Sequence, residues 1–458
     1  IHDFVGLVQF GSYNISQDLP VTVTRSWHVQ LSLLWIAACW TGVSIFILPI
    51  IQPQQPRGQK VLSNILFTML AAIAAGAIAG LYAGPKGLLG HWWNLLGHQG
   101  WEFVEMGRAW QALLWVALAL WCVIIFRGVK GVLVRKNIWA LPNWLLYSVV
   151  AVTLLLLSGF MIRPEGNFVV SDFWRWCVIH MWAEAFFEVF TTIVAGYLMV
   201  IMGLVSSAAV VRVVYLATLL FLGSGLLGIA HNFYWNAKPV GTLALGSVFS
   251  TLQVIPLILL TIEAWRFRNL TRSAGGKDAT LRGFGLPVTF LFLIAVNFWN
   301  FLGAGVFGLI INLPIVNYYE HGTYLTVNHG HAALMGVYGN LSLAAVFFCM
   351  SLLGDRRRWN GRTARTIFWS VNAGLLLMVL LDTLPAGILQ LQTVMEKGFW
   401  FARSQAFVKD NPFQALTWAR IVGGAIFLWG GLLPLVYLVL RSRHAAQKPP
   451  ADATAKYG

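Results

Sequence analysis

Asn328-His329-Gly330-His331 is the segment of this sequence whose residue types and spacing are most able to do chemistry. Two histidines at i and i+2 of a helix, at ~100° per residue, point about 200° apart, so they do not share one metal ion. They are placed to ligate two separate cofactors that sandwich the helix. Gly330 between them removes a side chain where large rings would crowd the backbone. The competing reading is a pair of core histidines, each bonded to a carbonyl. His180-Met-Trp-Ala-Glu184 has the opposite geometry, because residues at i and i+4 stack on one face of a helix. An imidazole and a carboxylate converge there on one point, a set that suits iron better than copper. A simple His–Glu hydrogen bond is the alternative. Glu188 adds another turn of the same face, in reach as a group behind the metal or as a proton carrier.

Three further residues belong with these. His231, in His231-Asn-Phe-Tyr-Trp235, falls at the outer end of a span among interfacial aromatics and is placed to complete a metal set, although alone it reads equally as an anchor. His28, in Arg25-Ser-Trp-His-Val-Gln-Leu31, lies just inside the outer end of the first span, and His331 near the outer end of its own. Bis-histidine ligation of a low-spin haem by that pair is therefore geometrically open. An ionisable group inside hydrocarbon costs a few kcal/mol at least, which makes His28, His180, Glu184, Glu188, His231, His329, His331 and Asp382 functional candidates. Asp382 either caps a kink before Pro385 or lines a proton or quinol site.

The elements that must position these residues are membrane helices. With 58% hydrophobic and 10% charged side chains in 458 residues, and a mean hydropathy of +0.71, the chain has too little polar surface for a water-soluble globule. Windows of the ~20 apolar residues that a spanning helix needs recur near 28–51, 62–84, 109–127, 143–162, 173–205, 209–234, 242–265, 285–311, 326–353, 366–391 and 415–440. The fold class expected is all-α, a polytopic membrane bundle of about eleven to twelve transmembrane helices. Residues 1–27 form an outer polar segment, 28–441 the catalytic bundle and 442–458 a disordered cytoplasmic tail.

Most of the 31 basic residues fall in linkers on alternate sides of those spans, among them Arg57/Lys60, Arg127 to Lys136, Arg266 to Arg282 and Arg356 to Arg365. By the positive-inside rule the N-terminus is outside and the tail cytoplasmic, in a bacterial inner membrane. Topology and anionic lipid account for the net charge of +15 without a nucleic-acid partner. Cys39, Cys122, Cys177 and Cys349 all lie in spans with no CxxC or CxxCH, so no c-type haem and no disulfide framework is expected. The chain enters its first span directly from Ile1 and a polar stretch, and an upstream segment is expected to be missing.

Taken together, Ser26-Trp-His-Val-Gln-Leu31, Trp101-Glu-Phe-Val-Glu-Met-Gly-Arg-Ala-Trp-Gln111, His180-Met-Trp-Ala-Glu184, Tyr318-Tyr-Glu-His-Gly322 and Asn328-His-Gly-His-Ala-Ala-Leu334 resemble the catalytic subunit of the nitric oxide reductases, of the quinol-dependent type, within the haem-copper oxidase superfamily. The resemblance implies the haem-copper oxidase catalytic-subunit fold and two haems b, with His28 and His331 on the low-spin haem and His329 on the active-site haem. It further implies a non-haem iron on His180, Glu184 and His231, and a calcium ion on Glu102 that bridges haem propionates, oxygen ligands being apt for a hard cation. Glu105 is a weaker second calcium candidate. From residues alone, Glu102 and Glu105 read as a solvated loop. The respiratory oxidases of the superfamily carry three copper-binding histidines and a tyrosine one turn beyond the first, where this chain has Glu184, so oxygen reduction at copper is disfavoured.

Two positions depart from the reductases. Those enzymes have a His-His pair where this chain has His231-Asn232, and a membrane glutamate where it has Gln253. Asn232 is a poorer iron ligand than imidazole, and Gln253 hydrogen-bonds without carrying a proton. The same departures mark the nitric oxide dismutases, which resemble quinol-dependent reductases elsewhere. The resemblance thus implies conversion of two NO into N2 and O2 ahead of reduction to N2O and water. The partners implied are nitric oxide, membrane lipid, a quinol or other electron donor, and a homodimer or an accessory chain that supplies a missing N-terminal helix.

Overall fold

The computed structural model describes residues 9–10, 13–98, 105–163, 165–183, 185–223, 229, 240–252, 254–273, 286–354 and 360–443. Among them, nine helices are long and apolar enough to cross a membrane, and two shorter apolar helices, Glu188–Ile201 and Ser207–Leu222, accompany them. The protein is a multi-pass helical bundle, and its one sheet among the described residues is the antiparallel hairpin Gln9–Phe10 with Tyr13–Asn14. The expected tail lies almost wholly outside the described residues. Two compact units make up the chain, Ile1–Phe190 and Thr191–Gly458.

In the first unit α1 (Val21–Ile51), α2 (Gln59–Ala83), α3 (Arg108–Val132) and α4 (Leu141–Met161) follow one another. α1 starts directly after Pro20, seven residues before the expected 28. Its first turns, Val21-Thr-Val-Thr-Arg-Ser, are too polar to register as an apolar window, yet Pro20 ends the preceding chain in extended form and leaves Val21 free to begin the helix. Trp121 of α3 donates to Ser44 of α1 at 3.0 Å. The unit closes with α5 (Phe168–Trp176), which runs on into the wide π turns Cys177–Trp182 and Ala185–Phe190. On those turns Trp182, Phe186 and Phe190 stack at four-residue steps, with centroids 5.8 and 5.4 Å apart and planes within 8°. Trp40 of α1 lies 5.4 Å from Phe186, and Trp121 meets Phe190 edge-on at 5.1 Å.

In the second unit α6 (Thr191–Ile201) and α7 (Ser207–Leu222) are followed by α8 (Val240–Leu252), α9 (Ile255–Ser273), α10 (Pro287–Asn312), the short α11 (Pro314–Glu320), α12 (Tyr324–Leu353), α13 (Gly361–Lys397) and α14 (Asn411–Ser442). Small residues let these helices approach, as is usual where lipid supplies no hydrophobic driving force between helices. A Cβ on Gly303 of α10 would lie 2.6 Å from the Ala332 carbonyl carbon of α12, and one on Gly374 of α13 would lie 2.7 Å from the Gly423 carbonyl oxygen of α14. Asn340 and Asn372 exchange hydrogen bonds of 3.1 Å between α12 and α13, and Trp299 of α10 adds one to Asn372 at 2.9 Å.

Candidate functional site

α12 presents the Asn-His-Gly-His segment. Thr323 caps the helix by accepting from the Leu325 N–H at 3.2 Å. Residues 324–333 then run as regular α-helix, the geometry that the opposed-histidine argument requires. His329 Nδ1 lies 2.9 Å from the Gly303 carbonyl oxygen. A carbonyl only accepts, so Nδ1 carries the proton and Nε2 the lone pair. Gly308 leaves room for the ring, since a Cβ there would approach His329 Cε1 to 3.1 Å. His331 Nδ1 sits 3.0 Å from the Val327 carbonyl oxygen of its own helix, which assigns the same tautomer. Both imidazoles therefore do bond a carbonyl, as the competing reading requires. They do so through Nδ1, the arrangement by which metal-ligating histidines are oriented and their Nε2 made more basic. A Cβ on Gly330 would meet nothing within 4 Å. With Nδ1 engaged on each ring and an open position at Gly330 between them, the donor chemistry of the two imidazoles fits haem iron.

The other expected site residues are placed less completely. His28 is exposed on α1, where the buried face is formed by Val23, Thr24, Ser26 and Gln30. His180 is buried in the π turn Cys177–Trp182, and Glu188 is half-buried in the next. The stacked Trp182, Phe186 and Phe190 face α1 and α3 and fix the rotation of this segment. Spacing alone assigned it plain α geometry; the bonding is i→i+5. Glu184, His231, Asn232, Gln253 and Glu102 lie outside the described residues. Among the described residues no group of three or more His, Cys, Asp or Glu side chains is placed to hold a metal ion.

Glu105 corrects the reading as a solvated loop, being only 4% exposed. Arg25 Nη1 donates to it at 2.7 Å, Ser26 donates to its other oxygen, and His98 Nε2 lies 3.8 Å away. Burial pushes its carboxyl up, but the nearby His98 ring, the Ser26 hydrogen bond and the Arg25 charge outweigh burial and hold it below the usual carboxylate range. Glu320, at the end of α11, is as deeply buried and goes the other way. Burial raises it to about 8 against the Thr326 hydrogen bond of 3.0 Å, the Arg403 charge and Thr323.

Arg420 was missed. It pairs with Asp382, which is fully buried in the π turn Val379–Thr383 ahead of Pro385. Applying the same test of ionisable residues to the span 415–440 would have found it. Nothing in the sequence signals the burial of Glu320.

The bundle and the two carbonyl-anchored histidines on one helix meet their family in comparisons with known proteins, which make the chain a membrane oxidoreductase of the haem-copper oxidase kind. The model of the cytochrome c and quinol oxidase polypeptide I family matches residues 8–426, and the chain belongs to that family. It is 27% identical over 447 residues to a nitric oxide reductase polypeptide of Stutzerimonas stutzeri, spanning 93% of this chain and 90% of that protein. A cytochrome c oxidase subunit 1 homolog of Azorhizobium caulinodans is 23% identical over 383 residues, 78% of this chain and 65% of that protein. Among solved structures, a haem-copper terminal oxidase dimer seen by cryo-EM has a TM-score of 0.58 at 12% identity, over 100% of this chain and 85% of that one, a likeness of fold.

Proposed function

We propose that this chain is a nitric oxide dismutase that converts two NO into N2 and O2. One observation carries the reading. Against 27% identity to a nitric oxide reductase polypeptide along nearly the whole chain, Asn232 and Gln253 stand where the resemblance leads one to expect a ligating histidine and a proton-carrying glutamate. Reduction of two NO to N2O and water consumes two electrons and two protons. Dismutation breaks two N–O bonds, forms N–N and O–O bonds, and consumes neither. Loss of a protonatable group beside the centre is damaging to the first reaction and tolerable to the second.

In this reading His329 holds the active-site haem b through Nε2, and His28 with His331 holds the low-spin haem b. His180, Glu184 and His231 hold a non-haem iron, and Glu102 a calcium ion. When bound, the active-site haem iron and the non-haem iron would supply Lewis-acid and redox chemistry. The chain's own residues do the rest. The Gly303 carbonyl accepts a hydrogen bond from His329 Nδ1–H and fixes the ring. The apolar wall of Trp182, Phe186 and Phe190 keeps the His180 segment in one rotation. Gln253 and Asn232 offer hydrogen bonds but no proton. The N-terminus is outside and the tail cytoplasmic. An electron donor, a partner copy or an accessory chain is compatible with the site and not required by the stoichiometry.

Retention of His28 and His331 favours the second reading, a quinol-dependent nitric oxide reductase, since an electron-neutral reaction has little need of a low-spin haem. Mass spectrometry of gas from the purified protein fed 15N-labelled NO without a donor separates the two. Doubly labelled N2 with O2 supports dismutation; N2O formed in proportion to added electrons, with no O2 in their absence, supports reduction.

A further inference from the structure

α12 is gripped at Asn328, the residue beside His329, by the π turn Val379–Thr383 of α13. Pro385 lacks an N–H and sits just beyond that turn, which gives the widening a local cause. The turn sends two side chains to two different helices. Asp382, fully buried, accepts from Nε of Arg420 on α14. Thr383, 1% exposed, donates from Oγ1 to Asn328 Oδ1 at 2.8 Å. The Arg420 guanidinium lies 5.7 Å over the ring of Tyr324, the first residue of α12. The start of the same helix is held by Gln390, which accepts from the Tyr324 N–H at 2.9 Å, and by Gly387, where a Cβ would lie 2.6 Å from the Leu325 nitrogen.

A buried ion pair adds little net stability over an apolar replacement and is expensive between membrane helices. What it supplies is one register. Here that register aims a hydroxyl at the residue between Val327, whose carbonyl orients His331, and His329 itself. A rotation of α12 at Asn328 moves both imidazoles together.

We propose that Thr383, aimed by the Asp382–Arg420 ion pair, is a positioning residue that fixes the rotation of the His329/His331 turn through Asn328 and so sets the imidazole planes presented to the two haems. The inference rests on the reading of those histidines as haem ligands. Orientation of an axial imidazole is among the levers by which a protein tunes haem, and the EPR g-values of a low-spin haem report it directly.

Thr383→Val keeps the shape of the side chain and removes the O–H. The variant is expected to retain the wild-type haem content, to shift the low-spin g-values and visible bands, and to recover the wild-type spectrum in Thr383→Ser. Asp382→Asn, which weakens the hold on Arg420 with little change of volume, is expected to shift the spectrum in the same direction by less. Spectra of T383V and D382N that superimpose on wild type overturn the proposal, including where T383V is merely less heat-stable. Should T383V fail to accumulate, D382N against T383S decides. A wild-type protein that carries no haem, or a His331→Ala protein that keeps the low-spin signal, instead removes the ligand reading on which the inference stands.

Discussion

The segments Cys177–Phe190 and Tyr324–Ala333 each carry a histidine inside an apolar bundle and hold it by different means. The first widens into π turns and is fixed by apolar packing, with Trp182, Phe186 and Phe190 stacked against Trp40 and Trp121. The second stays a regular α-helix and is fixed by polar ties, from Gly303 to His329 and from Thr383 to Asn328. Apolar packing sets a rotation to within the tolerance of a side chain, whereas a hydrogen bond sets it at a named atom. The segment that presents two imidazoles to opposite sides uses the tighter device.

The largest effect expected is at the tighter segment. His329→Ala should lose one of two haems outright, read as a halved haem-to-protein ratio, because it removes the imidazole that Gly303 anchors; an unchanged ratio would remove the assignment. Next come two truncations that probe the two devices. Phe186→Ala should lower stability in detergent by ~3–5 kcal/mol, the usual range for a fully buried aromatic. Arg420→Ala should cost ~3–5 kcal/mol by leaving Asp382 buried and alone. The devices then differ in repair. Asp382→Asn with Arg420→Gln should be less damaging than Arg420→Ala, which a double-mutant cycle reads directly, whereas Phe186→Leu should recover most of its loss by refilling volume alone. A smaller effect, roughly 1–3 kcal/mol of overpacking, is expected for Gly303→Ala, where the added carbon meets the Ala332 carbonyl.

Much of this was legible in the residues, for identifiable reasons. Nine of the eleven expected windows coincide with spanning helices because hydropathy dominates a lipid-facing helix, whereas 173–205 and 209–234 match only the shorter apolar helices Glu188–Ile201 and Ser207–Leu222 among the described residues; the start of α1 at Val21 falls outside its window because Thr22, Thr24 and Arg25 dilute its first turns. The i, i+2 argument at His329 and His331 transferred because that stretch is regular α-helix. The stretch around His180 instead forms π turns whose aromatics stack together and pack against other helices, tertiary contacts that i, i+4 spacing does not carry. Burial of Glu105 and Glu320 was illegible, since both sit in polar-looking linkers and only the fold decides what surrounds them.

Those two glutamates give the smallest and most easily titrated contrast. Glu320 keeps its proton to about pH 8 in the folded chain, whereas the unfolded group loses it near 4.5. The folded state binds more protons across that window, so stability falls as pH rises through it and levels off above. Glu320→Gln should flatten that slope. Glu105 is shifted down, so its contribution is present above the ordinary carboxylate value and disappears as pH falls through its folded value. Glu105→Gln should be destabilised at neutral pH and converge with wild type in acid. Wild-type-minus-variant melting differences in detergent, taken from about pH 2 to about pH 9, should fall with rising pH for Glu320→Gln and grow with rising pH through the acid range for Glu105→Gln; parallel differences would contradict the contrast.

Asn232→His with Gln253→Glu restores an imidazole and a proton carrier, and this double variant should turn from N2 toward N2O only when a donor is present. The most direct measurement needs no variant. Purified protein given 15N-labelled NO and no electron donor should release doubly labelled N2 and O2 in equal amounts. Release of N2O in proportion to electrons supplied, with no O2 when none are, would contradict the account.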